Sequence, residues 1–394
     1  MNSPSASSDG DVWVGAQVLG RQAPVSGFKR GDLVRALAKY VKPDTALGVR
    51  LFAIDLVIII ASWGLVLWAD SWWLRIPAAL LVGFKFGAVY TLSHDALHGN
   101  LTTAPRLNRL FATLGYLITF HNFRIRQYDH MLLGHHPHLN GPQHDAYRPL
   151  SPAEYRAAAW GRRLWERFLR APLVLPFAVY GVAERWWGCE FFAPKAMPAQ
   201  FKREARWLQL AVVGWIVALV ALSWASAAWR GSSFGTELLV IFVLPVFVFQ
   251  SLQSMVLYLQ HTNPEIPWFA PGDPLMQRFG PESLTVHIKA PRAIGAGSHD
   301  ILEHVAHHVI PAIPCYRLFE AQSELTRILG GQALQTHLFA VGRLAEVMGL
   351  CKLYDYQRHC WTDFSGRVTA YTRAAVLLAE QARAADPHAW PLAA

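Results

Sequence analysis

Four apolar runs, residues 51–69, 74–92, 207–229 and 234–259, constrain this chain more than any other feature. Each is about the length needed to cross a hydrocarbon core roughly 30 Å thick, where a helix satisfies its own backbone hydrogen bonds. Residues 70–73 alone separate the first two, and residues 230–233 the last two, so the spacing predicts two helical hairpins. Composition agrees: 53% of the 394 residues are hydrophobic and the mean hydropathy is +0.20. That is too apolar for an ordinary soluble domain, and the chain is too short for a large transporter.

Charge sets the orientation. Of 36 Lys and Arg residues, only Arg75 and Arg230 lie in or beside the short links, and Lys85 lies within a span. Lys and Arg accumulate on the cytoplasmic side, which places the N-terminus, residues 93–206 and the C-terminal third in the cytoplasm. Trp63, Trp68, Trp72, Trp73, Trp207, Trp215, Trp224 and Trp229 sit in or near span ends, as interfacial anchors do. The net charge of +9 fits a surface against anionic lipid, and no nucleic-acid partner is expected, because most basic residues flank the spans.

Two shorter apolar stretches, 107–120 and 173–182, are too brief to cross; they read as interfacial or re-entrant helices, the second punctuated by Pro172 and Pro176. Residues 1–28, rich in Ser, Ala, Gly and Asp without a signal-peptide pattern, read as a disordered tail. Residues 316–394 mix Leu and Ala with charged residues at helical spacing, predicting one or two amphipathic helices. Cys189, Cys315, Cys351 and Cys360 form no CxxC pair and read as reduced, packed thiols. The expected fold is an all-α integral membrane protein: four transmembrane helices in two hairpins under a helical cytoplasmic cap, with residues 29–325 as the membrane unit and 326–394 as a helical extension.

Of 17 histidines, 14 fall in two windows, 94–144 and 261–308, on the same expected side of the membrane. His94 and His98 are four residues apart, one turn along one helix face, and His304, His307 and His308 repeat the arrangement at i, i+3 and i+4. Between them lies DHMLLGHHPH, with His130, His135, His136 and His138, and His261 closes the last span. A lone histidine is an ordinary core or surface residue; this many imidazoles gathered against a membrane call for a reason. Zinc needs only four ligands per site, whereas eight or more imidazoles suit two metal ions that activate oxygen. Asp95, Asp129, Asp145, Asp300 and Glu303 lie close enough in sequence to orient the rings by accepting their second N–H. His337, His359 and His388 fall outside the windows, and their replacement is expected to be nearly silent.

HDALH at 94–98, HVAHHVIPAIPCYRL at 304–318 and QHTNP at 260–264 resemble the histidine boxes of the membrane fatty acid desaturase superfamily, over roughly residues 51–325. The second box departs from the usual HxxHH: Leu132 occupies the place of its first histidine, so His130 or His138 must complete it. On an ideal helix His130 and His135 would be about 140° apart, so sharing a metal needs a distorted turn, such as a bulge near Gly134. The resemblance implies two iron ions held by His94, His98, His130, His135, His136, His261, His304, His307 and His308, with dioxygen as co-substrate. It implies a separate electron donor, ferredoxin or cytochrome b5 with its reductase, since no HPGG-type haem segment is present.

The expected activity is desaturation of a fatty acyl chain drawn from the bilayer, with Phe84, Phe86, Tyr90, Phe120 and Phe123 as candidates to line its channel. A hydroxylase or ketolase of an alkane, terpenoid or carotenoid is the alternative within the superfamily. A membrane metal transporter is the alternative outside it; transporters place their ligands at mid-membrane, whereas these histidines follow the span ends. The lack of a cytochrome domain and of a retention signal points to a bacterial inner membrane.

Overall fold

A computed structural model describes residues 29–133, 139–142, 147–338 and 340–385; the expected tail at 1–28 lies outside the described residues. The described chain is mostly helical. Four helices are long and apolar enough to cross a membrane: Thr45–Trp68, Trp72–His98, Ala199–Arg230 and Phe234–His261, here the first to fourth spans. The Asp44 side chain caps the first, accepting from the Leu47 amide. Gly99 and Gly231, both at positive φ, end the second and third, where a Cβ would be strained.

The second span lies innermost, buried along most of its length and packed against both the first and the fourth. A Cβ added at Gly83 would lie 2.6 Å from the Pro245 carbonyl oxygen on the fourth span, so this close crossing requires glycine. Pro245, which lacks an amide hydrogen, follows a π-helical turn at Leu239–Val243, a local unwinding that accommodates the missing bond. Trp63, Phe120 and Phe249 meet Phe86 edge-on, with ring centroids 5.5, 5.7 and 6.2 Å away; each such pair is worth about 0.5–1.5 kcal/mol beyond the area it buries.

The cations that the sequence leaves in or between the spans are all paired. Arg75 donates to the Val66 carbonyl at 2.9 Å and to the Glu237 carboxylate at 2.5 Å, and Ser226 donates to the same carboxylate. Arg230 reaches the Leu67 and Ala69 carbonyls and Asp70. Together they clamp the links 69–71 and 231–233 at the span ends remote from the histidines. Lys85 pairs with Asp55 of the first span.

The residues after the fourth span depart from the helical expectation. Leu318–Leu329, Val341–Leu350 and Arg373–Ala385 are helices, but two small sheets accompany them. β1 (His287–Lys289) and β2 (Gln335–His337) run parallel, while β3 (Leu353–Asp355), β4 (Cys360–Thr362) and β5 (Val368–Tyr371) form an antiparallel sheet with an irregularity at Trp361/Thr362. Strands of three or four residues are too short for their alternation to show in a sequence. Their role is local: buried Trp361 donates from Nε1 to the Asn263 carbonyl at 3.1 Å, fixing the chain just beyond His261.

Candidate metal centre

Four elements deliver the seven clustered histidines among the described residues. The last turn of the second span carries His94 and His98. The helix Phe123–Tyr128, capped by Asn122, continues as a π-helical turn, Asp129–Leu133, that carries His130. The fourth span ends on His261, and the six-residue helix His304–Val309 carries the remaining three. That short helix is secured by Gln322, whose side-chain oxygen accepts from the Ala306 amide at 2.9 Å.

The rings gather into two groups. His94, His98, His130 and His307 offer ligand atoms all within 4.8 Å of one another, and so do His261, His304 and His308. His307 belongs to the first group and its helix neighbours His304 and His308 to the second, so the triplet bridges the two; the His304 and His307 ring centroids are 5.7 Å apart. His130 sits on the π-helical turn at 129–133; Gly134 and His135, where the sequence expects the distortion to act, lie outside the described residues. His135, His136, His138 and Asp145 lie outside the described residues.

The ring nitrogens fit metal ions. His130 Nε2 is 2.8 Å from His94 Nε2 and 3.3 Å from His98 Nε2, while His304 Nε2 is 2.8 Å from His308 Nε2 and 3.1 Å from His261 Nε2. One N–H between two imidazoles satisfies one such contact, and here each central nitrogen faces two rings. With metal–nitrogen bonds of about 2.1 Å, neighbouring ligands stand about 3.0–3.4 Å apart, close to the spacing seen. Neutral imidazole suits iron, copper and zinc.

The carboxylates divide. Asp95 Oδ1 lies 3.5 Å from His94 Nδ1, and its other oxygen accepts from the Cys315 amide. Burial, aided by Asp95, pushes the Cys315 thiol above its ordinary value. Asp129 stands 3.3 Å from Arg126, whose own Nη2 is 3.3 Å from His130 Nδ1. Asp300 pairs with Arg292, and Glu303 accepts from His287 Nε2 at 2.6 Å. Both therefore orient the chain leading to His304 without touching a clustered ring. Burial holds the Asp300 carboxyl above its ordinary value.

Beneath the first group lies a buried network that the sequence did not signal. Glu190 accepts from Arg126 at 2.8 Å and Arg185 at 2.6 Å, and its second oxygen is 2.9 Å from His121 Nε2. Burial alone would raise the Glu190 carboxyl, but Arg126, Arg185 and His121 outweigh it and hold it well below the usual range. Arg126 and Glu190 are 64 residues apart in sequence, and no spacing there joins them. His359, by contrast, is not a bystander: it is buried at φ +50, with Nε2 3.4 Å from Asp273, so its replacement carries a folding cost.

An apolar cavity of about 140 Å³ opens from His94, His130 and His304 down between the second and fourth spans. Phe84, Tyr90, Phe249, Val256 and Leu257 line it, with Leu302 beside His304. Phe86 and Phe120 instead pack with one another, and Phe123 is buried in the same core.

A sequence profile described as fatty acid desaturase matches residues 70–339. An sn-1 acyl-lipid omega-3 desaturase (ferredoxin) of Synechocystis sp. is 26% identical over 295 residues, 73% of this chain and 77% of that protein. Its namesake in Nostoc sp. is 25% identical, covering 77% and 82%. An acyl-lipid omega-3 desaturase (cytochrome b5) of the Arabidopsis thaliana endoplasmic reticulum is 25% identical, covering 77% of each.

Proposed function

The chain belongs to the fatty acid desaturase family, and on that premise we propose that it is an oxygen-dependent desaturase of lipid-linked acyl chains working through two histidine-held iron ions. Family membership makes it an oxidoreductase of fatty acid metabolism. One observation carries the finer reading: two groups of converging imidazoles stand at the head of an apolar cavity that runs between membrane-length helices.

In this reading His94, His98, His130 and His307 hold one iron, and His261, His304 and His308 hold the other, with His135 and His136 completing the set. Bound iron supplies the oxygen activation that removes hydrogen from neighbouring methylenes. The reaction balances when dioxygen, two electrons, two protons and the saturated segment give an alkene and two waters. Asp95 places its carboxylate 3.5 Å from His94 Nδ1, and Arg126, anchored by Glu190, steadies the turn that presents His130. Phe84, Tyr90, Phe249 and Leu257 bind and align the chain while excluding water.

The spans form two hairpins below a cap, with both termini in the cytoplasm and a bacterial inner membrane as the setting. Residues 29–325 make the membrane unit and 326–394 the extension that braces it. The relatives' names support a separate donor, ferredoxin or cytochrome b5, and an acyl-lipid substrate. The test is purified protein supplied with reductase, ferredoxin and phospholipid. About two irons per chain and a new double bond in the lipid acyl chains are expected. Oxygenated product would favour a hydroxylase or ketolase, and metal movement without oxygen consumption a transporter.

A further inference from the structure

Charged groups inside membrane spans are costly and are kept where they serve a purpose. Asp55 lies ten residues into the first span, about 15 Å from its start, and Lys85 lies about 13 Å along the second span from His94. Both are buried, at 1% and 8% exposure. Lys85 Nζ donates to Asp55 Oδ1 at 2.7 Å, and the other Asp55 oxygen is 2.6 Å from Nε2 of buried His299, 244 residues away in sequence. Lys85 Nζ also donates to the Gly297 carbonyl at 3.1 Å. Two spans thus grip one loop, and the mechanism above uses none of these three side chains.

That loop is a wall of the acyl cavity. Ile294, Ser298, Ile301 and Leu302 all line it, and Phe84, beside Lys85 and in reach of Gly297, lines it from the second span. His299 and Asp300 both adopt φ +54, a left-handed conformation that strains a residue with a Cβ. Such a loop keeps its shape only when its surroundings hold it. His299 is held by Asp55 and Asp300 by Arg292, and His304 of the second histidine group follows four residues later.

We infer that Asp55, Lys85 and His299 are positioning residues that latch the wall at 294–302 against the first two spans and thereby select which acyl carbon faces the histidine groups. This rests on the desaturase reading for its substrate. The latch itself is a property of the fold.

The test uses the full-length, iron-loaded protein. His299→Ala leaves the Asp55–Lys85 pair intact, so it strands no charge in the bilayer; the neutral double variant Asp55→Asn, Lys85→Met is the second arm, and His299→Gln is the conservative rescue. Amide exchange over 292–303 should quicken about tenfold in both arms, with 304–309 and the iron content unchanged. The position of the new double bond should spread from one site to several, with an increase in KM of about fivefold and a smaller change in kcat. His299→Gln should restore a single position. Unchanged exchange in both arms, or faster exchange with a single double-bond position and unaltered KM, would overturn the inference. If the unsubstituted protein forms no double bond, the desaturase reading fails and the exchange arm still decides the latch.

Discussion

The two histidine groups stand side by side yet are supported by different means. The first, His94, His98, His130 and His307, rests on a buried ion network in which Glu190 joins Arg126, Arg185 and His121. The second, His261, His304 and His308, rests mainly on neutral hydrogen bonds: the end of a span is fixed by Trp361 through the Asn263 carbonyl and a short helix is secured by Gln322, while the ion pairs of Glu303 and Asp300 hold only the chain leading to it. Similar sets of imidazoles thus stand on unequal foundations. A charged network fails abruptly when one member is removed, whereas a neutral support loosens by degrees.

The comparison breaks if both groups are not required. His307→Ala in the first and His304→Ala in the second should each abolish turnover, a loss of about a thousandfold or more if each removes an interaction needed only in the transition state. Metal analysis should show each variant short of iron; full iron with full activity in either would refute the paired centre. Next in size, Glu190→Gln leaves Arg126 and Arg185 without their shared anion. It should destabilise the protein by about 3 kcal/mol, and iron should be lost first from the His94 group, read by thermal melting and stepwise chelation. A milder result is expected for Trp361→Phe, roughly 1–3 kcal/mol from lost volume and one lost hydrogen bond, with iron lost first from the His261 group. Depletion of the same iron in both variants would erase the distinction. Exposed His337 lies outside both groups, and His337→Ala should change stability by under about 0.5 kcal/mol with activity retained.

The groups were legible to different degrees for the same reason. His94 and His98 are one turn apart on a long helix, and that spacing alone brings their rings together. The triplet at 304–308 shows one helix face in sequence, but that face is wide enough to send His307 to one group and His304 and His308 to the other. The place of His130 depends on a π-helical turn at 129–133, whereas the spacing in sequence pointed only to a distorted turn nearer Gly134. Asp300 and Glu303 are near the right rings in sequence and turn to Arg292 and His287 in space. The spans were legible because length and apolarity suffice; the sheet after residue 350 was not, because its strands draw their stability from buried Trp361 and Tyr354 rather than from an alternating pattern.

The ion cluster of Arg75, Glu237 and Arg230 gives the bundle a pivot. Pinned at that end, the second span extends 27 residues, about 40 Å, to His98. A tilt of about 5° there would displace its histidine end by about 3.5 Å, so leverage concentrates every small motion of the helices where the apolar cavity meets the histidine groups.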